Sequence, residues 1–266
     1  MSIETERSKV TVAEWATRFR AEMIPLGDTF SYFSATPVAE EDLKQYLHEP
    51  IGALPPKLCA LLPRIGIVLV PFLEKGAGRA GDAVAFHQPK EPRQLFSSAI
   101  VRGDTATFFF AIKNEEVSGY HYSFYNAIAT LVFERLSPEA RDLFSRVLRE
   151  ELTAHVHGEV DERSWRLKQT LVRRETKGHE EAKRFREYAA QAFADTLTLF
   201  LHGICCDIDV DTGPRQMPSR YLRKRLEFLN KLFPPPEGHT VFPEDGGRRD
   251  RVKKKAASSG NLGMLQ

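Results

Sequence analysis

The stretch "EELTAHVHGEVDERSW", residues 150 to 165, sets two histidines and five acids into sixteen positions. Such side chains bind divalent cations or exchange protons with a substrate. They follow a run whose spacing predicts an amphipathic helix. Counting about 100° per residue from Phe144, the residues Leu143, Val147, Leu148 and Leu152 share one apolar sector, and Glu151, His155 and Glu159 fall inside it at roughly 340°, 20° and 60°. His157 falls outside. If the helix continues through Gly158, three ionisable groups point inward at successive four-residue steps, where each must be paired, hydrogen-bonded or bound to a metal.

Two more segments place similar groups on restricted faces. In "GYHYSFYNAIATLVF", His121 lies within the apolar stripe beside Phe124; in "EEAKRFREYAAQAFADTLTLFLHG", Gln191, Asp195, Thr198 and His202 form a narrow polar stripe. Imidazole and carboxylate ligands presented by a helical bundle suit Zn, Fe or Mn, and a bound ion lowers the pKa of its water. The candidate ligand set for one divalent transition metal is therefore His121, His155, Glu151, Glu159, Asp195 and His202, with Glu151 and Glu159 as candidate catalytic carboxylates.

No intact catalytic signature accompanies them. Glu151 and His155 are four apart, which is neither the zincin His-Glu-x-x-His nor the di-iron Glu-x-x-His spacing. A strand-like "TATFFFAIK" ahead of a helix carrying His121 resembles the zincin order of elements. Tyr122 stands where that family has its general base and Tyr125 where it has its second His, so the resemblance implies an inactive relative. "CDIDVDTG" spaces Asp207, Asp209 and Asp211 like the start of a calcium loop, yet the turn glycine comes one place late and Pro218 occupies the twelfth position. "GAGRAGD" is glycine-rich but lacks the Gly-Lys-Ser/Thr of a phosphate loop and reads as a hairpin loop. His202 with Cys205 or Cys206 is a conceivable base and thiol nucleophile.

The elements that must carry these groups follow from periodicity and breakers. "VTVAEWATRFRAEMIPLG" predicts a helix ended by Pro25 and Gly27, and "PVAEEDLKQYLHEP" a second one stopping at Pro50. "RIGIVLVPFLEKG" predicts a buried strand over residues 65 to 73, and "DAVAFHQ" another. "QLFSSAIVRGDTATFFFAIK" predicts two strands joined at Arg102 to Asp104, where the RGD tripeptide is a turn. From Val117 onward the pattern is helical, with Ser137 as N-cap before Pro138, a break near Gly178, a long helix stopped by Gly203, and a last helix ended by three prolines. The expected class is α+β, predominantly helical: a small N-terminal antiparallel or mixed sheet followed by a bundle of about five helices.

Composition sets the outer limits. Of 266 residues, 42% are hydrophobic and 28% charged, enough for a sizeable core. One compact domain is expected over residues 1–245 (1–116 helix and sheet, 117–236 helical, 237–245 proline-rich), with residues 246–266 as a disordered basic tail. That tail holds six Lys or Arg against one Asp, a net of +5, which leaves −3 of the total +2 for the body. A nucleic-acid-binding body is thereby disfavoured, leaving weak electrostatic contact to the tail. "MSIETERSKV" has no signal-peptide core and no stretch reaches a membrane span, so a cytoplasmic protein with reduced Cys59, Cys205 and Cys206 is expected. Two functions remain: a non-enzymatic interaction or regulatory module, with a protein partner and a buried His/Glu network, is preferred because no catalytic motif is intact; the alternative is a divalent-metal-dependent hydrolase.

Overall fold

The computed structural model describes residues 10–76, 81–113, 115–173, 179–206 and 217–242, without the side chain of Cys206. The apolar run after Leu62 forms strand β3 (Arg64–Val70) and, beyond Pro71, strand β4 (Phe72–Glu74). The sequence predicts one strand here; proline has no N–H for the ladder, and the chain passes at Pro71 from one sheet to another. β1 (Ile24–Pro25), β2 (Phe30–Ser34), β7 (Ser97–Arg102) and β8 (Thr105–Ala111) join β3 in a five-stranded sheet of order β1-β2-β3-β8-β7. The three central strands run parallel and the two edges pair antiparallel, so the sheet is mixed. β5 (Ala83–Ala85) and β6 (Gln94–Leu95) flank β4 in a second, three-stranded sheet. The β7–β8 turn falls at the RGD tripeptide, where Gly103 has a φ of 58°, a conformation open to glycine.

α1 (Val12–Arg18) begins with a capping box between Thr11 and Glu14 and passes into a 3-10 turn at Arg20–Glu22 instead of continuing as α-helix. α2 (Glu40–Leu43) and α3 (Glu49–Gly52) are joined by a π-helical turn, so this helix runs past Pro50, which sits in the first turn of α3 where a missing N–H is tolerated. α4 (Pro56–Cys59) follows. The helical half comprises α5 (Val117–Val132), α6 (Pro138–Thr153), α7 (Glu162–Arg173), α8 (His179–Cys206) and α9 (Ser219–Leu232). α8 packs against α5, α6, α7 and α9, which is why "LTLFL" is apolar nearly all round. The same packing carries it three residues past Gly203: burial on several sides outweighs a glycine penalty of about 1 kcal/mol.

Alternation along β3 and β8 sends Ile65, Ile67, Leu69, Phe108 and Phe110 into a core shared with α5, α6, α8 and α9. Val68, Val70, Phe109 and Ala111 face the other way, under Val12, Trp15 and Val84. The fold is a helix-rich α+β arrangement, sheet first and helices after. Among the described residues no helix is long and apolar enough to cross a membrane.

Candidate functional site

α6 ends at Thr153, and this decides which groups of the opening stretch meet. Ala154 is the C-cap, and His155 enters the left-handed region with φ 51°. The amide of His155 donates to the carbonyl of Leu152 (3.1 Å) and that of Val156 to Glu151 (3.0 Å), the paired bonds of a Schellman motif. The helix therefore does not run through Gly158, and His155 is exposed rather than inward. Glu151 is buried as its place on the stripe requires. Glu159 is buried as well, yet it returns to the core from the loop between α6 and α7, not from the next turn of α6.

Both carboxylates close on one guanidinium. Arg225 of α9 is fully buried; its Nε and Nη2 donate to Glu151 (3.0 and 2.5 Å), while Nη1 and Nη2 donate to Glu159 (2.8 and 2.9 Å). Two edges of a planar fork thus hold one carboxylate each, a geometry a lysine could not supply. Lys168 of α7 donates to Glu159 at 3.2 Å and to the carbonyl of Gly158 at 2.9 Å, and the Tyr188 hydroxyl of α8 donates to the same carboxylate. Two acids and two cations cancel within a region that water does not reach. Burial raises the Glu151 carboxyl above its usual range, against the pull of Arg225. Burial acts on Glu159 in the same sense, but there the charge of Arg225, with its hydrogen bonds and Lys168, outweighs it and holds the carboxyl low. Burial also opposes the Arg225 charge, and the two carboxylates more than offset it.

The polar stripe of α8 faces α5 and α7 and forms a second group. Gln191 donates to Asp195 Oδ1 at 2.6 Å, while Asp195 Oδ2 is buried without a hydrogen-bond partner among the described residues. Burial, resisted by the hydrogen bond from Gln191, pushes this carboxyl up to about 6. Asn126 donates to Thr198 at 3.4 Å across the α5–α8 seam. His202 packs its ring near Tyr122 and Tyr125, with Nε2 buried and, among the described residues, without a hydrogen-bond partner, and burial lowers its pKa. His121 lies 3.8 Å from Cys205 through Nδ1. Its Nε2 meets the carbonyl of Gln45 at 2.7 Å; a carbonyl only accepts, so Nε2 carries a proton there while Nδ1 faces the thiol. His121 is thus an imidazole at hydrogen-bonding distance from Cys205, while the expected pairing of His202 with Cys206 lies outside the described side chains.

The six proposed ligands separate into Glu151 with Glu159 on Arg225, Asp195 with Gln191, His121 near Cys205 and His202, and His155 outside. Among the described residues no group of three or more His, Cys, Asp or Glu converges on a metal position. Tyr122, at the place of a zincin base, is 37% exposed and reaches Asp161 at 3.5 Å. Asp207, Asp209 and Asp211, residues 77 to 80 of the glycine-rich segment, and the basic tail lie outside the described residues. No protein-family model, curated protein or solved structure matches this chain.

Arg225, Lys168 and Tyr188, which complete the network, escaped the sequence reading although a signal was there. Arg225 sits on the stripe of Leu222, Leu226 and Leu229, and Lys168 on that of Ser164, Leu167 and Leu171. A cation on the apolar stripe of one helix and an acid on that of another are complementary charges awaiting one another.

Proposed function

We propose that the chain is a non-enzymatic interaction or regulatory module, at work in a reducing cytoplasmic setting, and that the acids which first suggest catalysis fix helix register instead. One observation carries this reading: every carboxylate oxygen of Glu151 and Glu159 accepts an N–H from Arg225, with Lys168 added at Glu159. A carboxylate committed in this way has a cation for company and no approach from solvent, the opposite of what a general base or a metal ligand needs. Polar networks that are fully satisfied define one packing among several otherwise similar ones. Among the described residues Cys59 forms no disulfide, and burial raises the pKa of its thiol, which makes it a poor nucleophile.

The test is metal content and its linkage to stability. Purified protein is expected to carry no stoichiometric transition metal, with a Tm that ignores both chelator and added zinc or manganese. One bound equivalent whose removal lowers Tm overturns the reading, because a ligand of the folded state stabilises it by mass action.

A further inference from the structure

The alternation of β3 and β8 changes character at one end of the sheet. On the face toward α1, successive paired rows are Val70 with Ala111, Val68 with Phe109, Gly66 with Thr107, and Arg64 with Thr105. Val12, Trp15 and Val84 cover the first two rows. Beyond them lies a cleft of about 310 Å³ that Arg20, Arg64 and Arg102 line together with Thr105, Thr107 and Gly66, over which the Met23 methyl packs. The register explains the convergence: Thr105 pairs with Arg64 on one side and Arg102 on the other, so all three share a row and a face. Arg20 arrives from the turn that ends α1.

These three arginines lie together in one cleft, and none of them holds a described acid. Arg93, Arg141, Arg186 and Arg225 each meet a carboxylate. Among the described residues, Arg20, Arg64 and Arg102 have no ion-pair partner, and no acid lines the cleft. Like charges gathered without counter-ions repel, and their field concentrates within a concave wall. Guanidinium forks match phosphate oxygens, threonine hydroxyls add donors, and Met23 and Ile100 give an apolar flank. The volume reaches the ~300 Å³ at which small-molecule sites begin.

We propose that this cleft binds a phosphate monoester, its dianion on Arg20, Arg64 and Arg102 and its organic part against Met23 and Ile100. The inference names the ligand of the module described above and rests on that reading. A nucleic-acid strand fits less well, since the body around this basic spot carries a net −3 and a polyanion would be repelled outside the cleft.

The experiment uses the full chain, with inorganic phosphate and ribose 5-phosphate as probes at constant ionic strength, read by calorimetry and by Tm. Ribose 5-phosphate is expected to bind, to raise Tm, and to bind about tenfold or more weakly to the R64Q/R102Q variant. Because both side chains are exposed, that variant keeps the wild-type Tm without ligand. Vesicles carrying phosphatidic acid show the source: Arg-dependent sedimentation assigns the monoester to a lipid headgroup, and its absence beside ribose 5-phosphate binding assigns it to a soluble compound, the site standing in both cases. Equal binding to wild type and variant, no binding at millimolar probe, or Arg-dependent binding of an oligonucleotide without terminal phosphate in place of ribose 5-phosphate each overturns the proposal. Release of inorganic phosphate from the bound probe would keep the site and overturn the non-enzymatic reading instead.

Discussion

Replacing Arg225 by Met removes the cation from between two buried carboxylates. The wild-type network is neutral; the variant holds Glu151, Glu159 and Lys168, one negative charge in excess. Breaking a buried pair in this way costs about 3–5 kcal/mol, which for a chain of this size lowers Tm by roughly 6–20 °C. The structure further predicts an asymmetry between two second-site variants. In R225M/E151M, Glu159 keeps Lys168 at 3.2 Å and the Tyr188 hydroxyl, charge balance returns, and more than half of the lost stability is regained. In R225M/E159M the charge count is the same, but Glu151, whose carboxylate accepts hydrogen bonds only from Arg225 among the described residues, is left alone while Lys168 loses its acid. That variant is no more stable than R225M. Urea unfolding of the four proteins at one pH reads all three differences. Equal stability of the two double variants, or a cost below about 1 kcal/mol for R225M, would refute the assignment of Lys168 to Glu159 and of the pair to Arg225.

Asp195, with its carboxyl raised to about 6, takes up its proton more readily when folded, so its contribution to stability is present below about pH 4 and lost as pH rises through 6. The full excursion is about 3 kcal/mol; Asp195→Asn should abolish it and raise Tm at neutral pH, and parallel pH–stability curves for the two proteins would show that the carboxyl is not strained. His155→Gly should change stability by less than about 1 kcal/mol, in the favourable direction, because glycine accepts the left-handed C-cap without a Cβ penalty. A loss of 2 kcal/mol or more, seen by chemical denaturation, would place the imidazole in the core after all. Tyr188→Phe removes the hydroxyl that donates to Glu159 and should cost about 1–3 kcal/mol; a neutral result in thermal unfolding would mean that Lys168 and Arg225 satisfy the carboxylate alone.

The class of the fold was legible because period is a property of long segments. Helices α5 to α9 each repeat an apolar stripe over three or more turns, and the β7–β8 hairpin is marked by a glycine that its turn requires. What escaped is set by single residues. Where α6 stops depends on a left-handed His155, a position at which glycine would have announced the end and histidine does not. Extending the wheel past it placed His155 inside wrongly and Glu159 inside for the wrong reason. Glu151 needed no extrapolation and lies where the spacing put it. Its partner Arg225 is 74 residues away, and long-range charge pairing leaves no local period. The cleft had a visible trace, Arg64 and Gly66 at alternate places in "RIGIV" and Thr105 and Thr107 in "TATFF", hidden by the continuous apolar run that follows each.

The five members of the buried network stand at positions 151, 159, 168, 188 and 225, spread over four helices and a loop. During synthesis, the acids leave the ribosome long before the arginine that neutralises them, with Lys168 able to offset only one. Burying the polar turn of α6 on a nascent chain that ends short of α9 therefore carries the same kind of cost as R225M, which favours a late assembly of the helical half, after α1 to α4 and the sheet have been made. A chain cut before residue 225 is for the same reason not a smaller version of this protein but a client for chaperones and proteases, with two carboxylates that have no place to go.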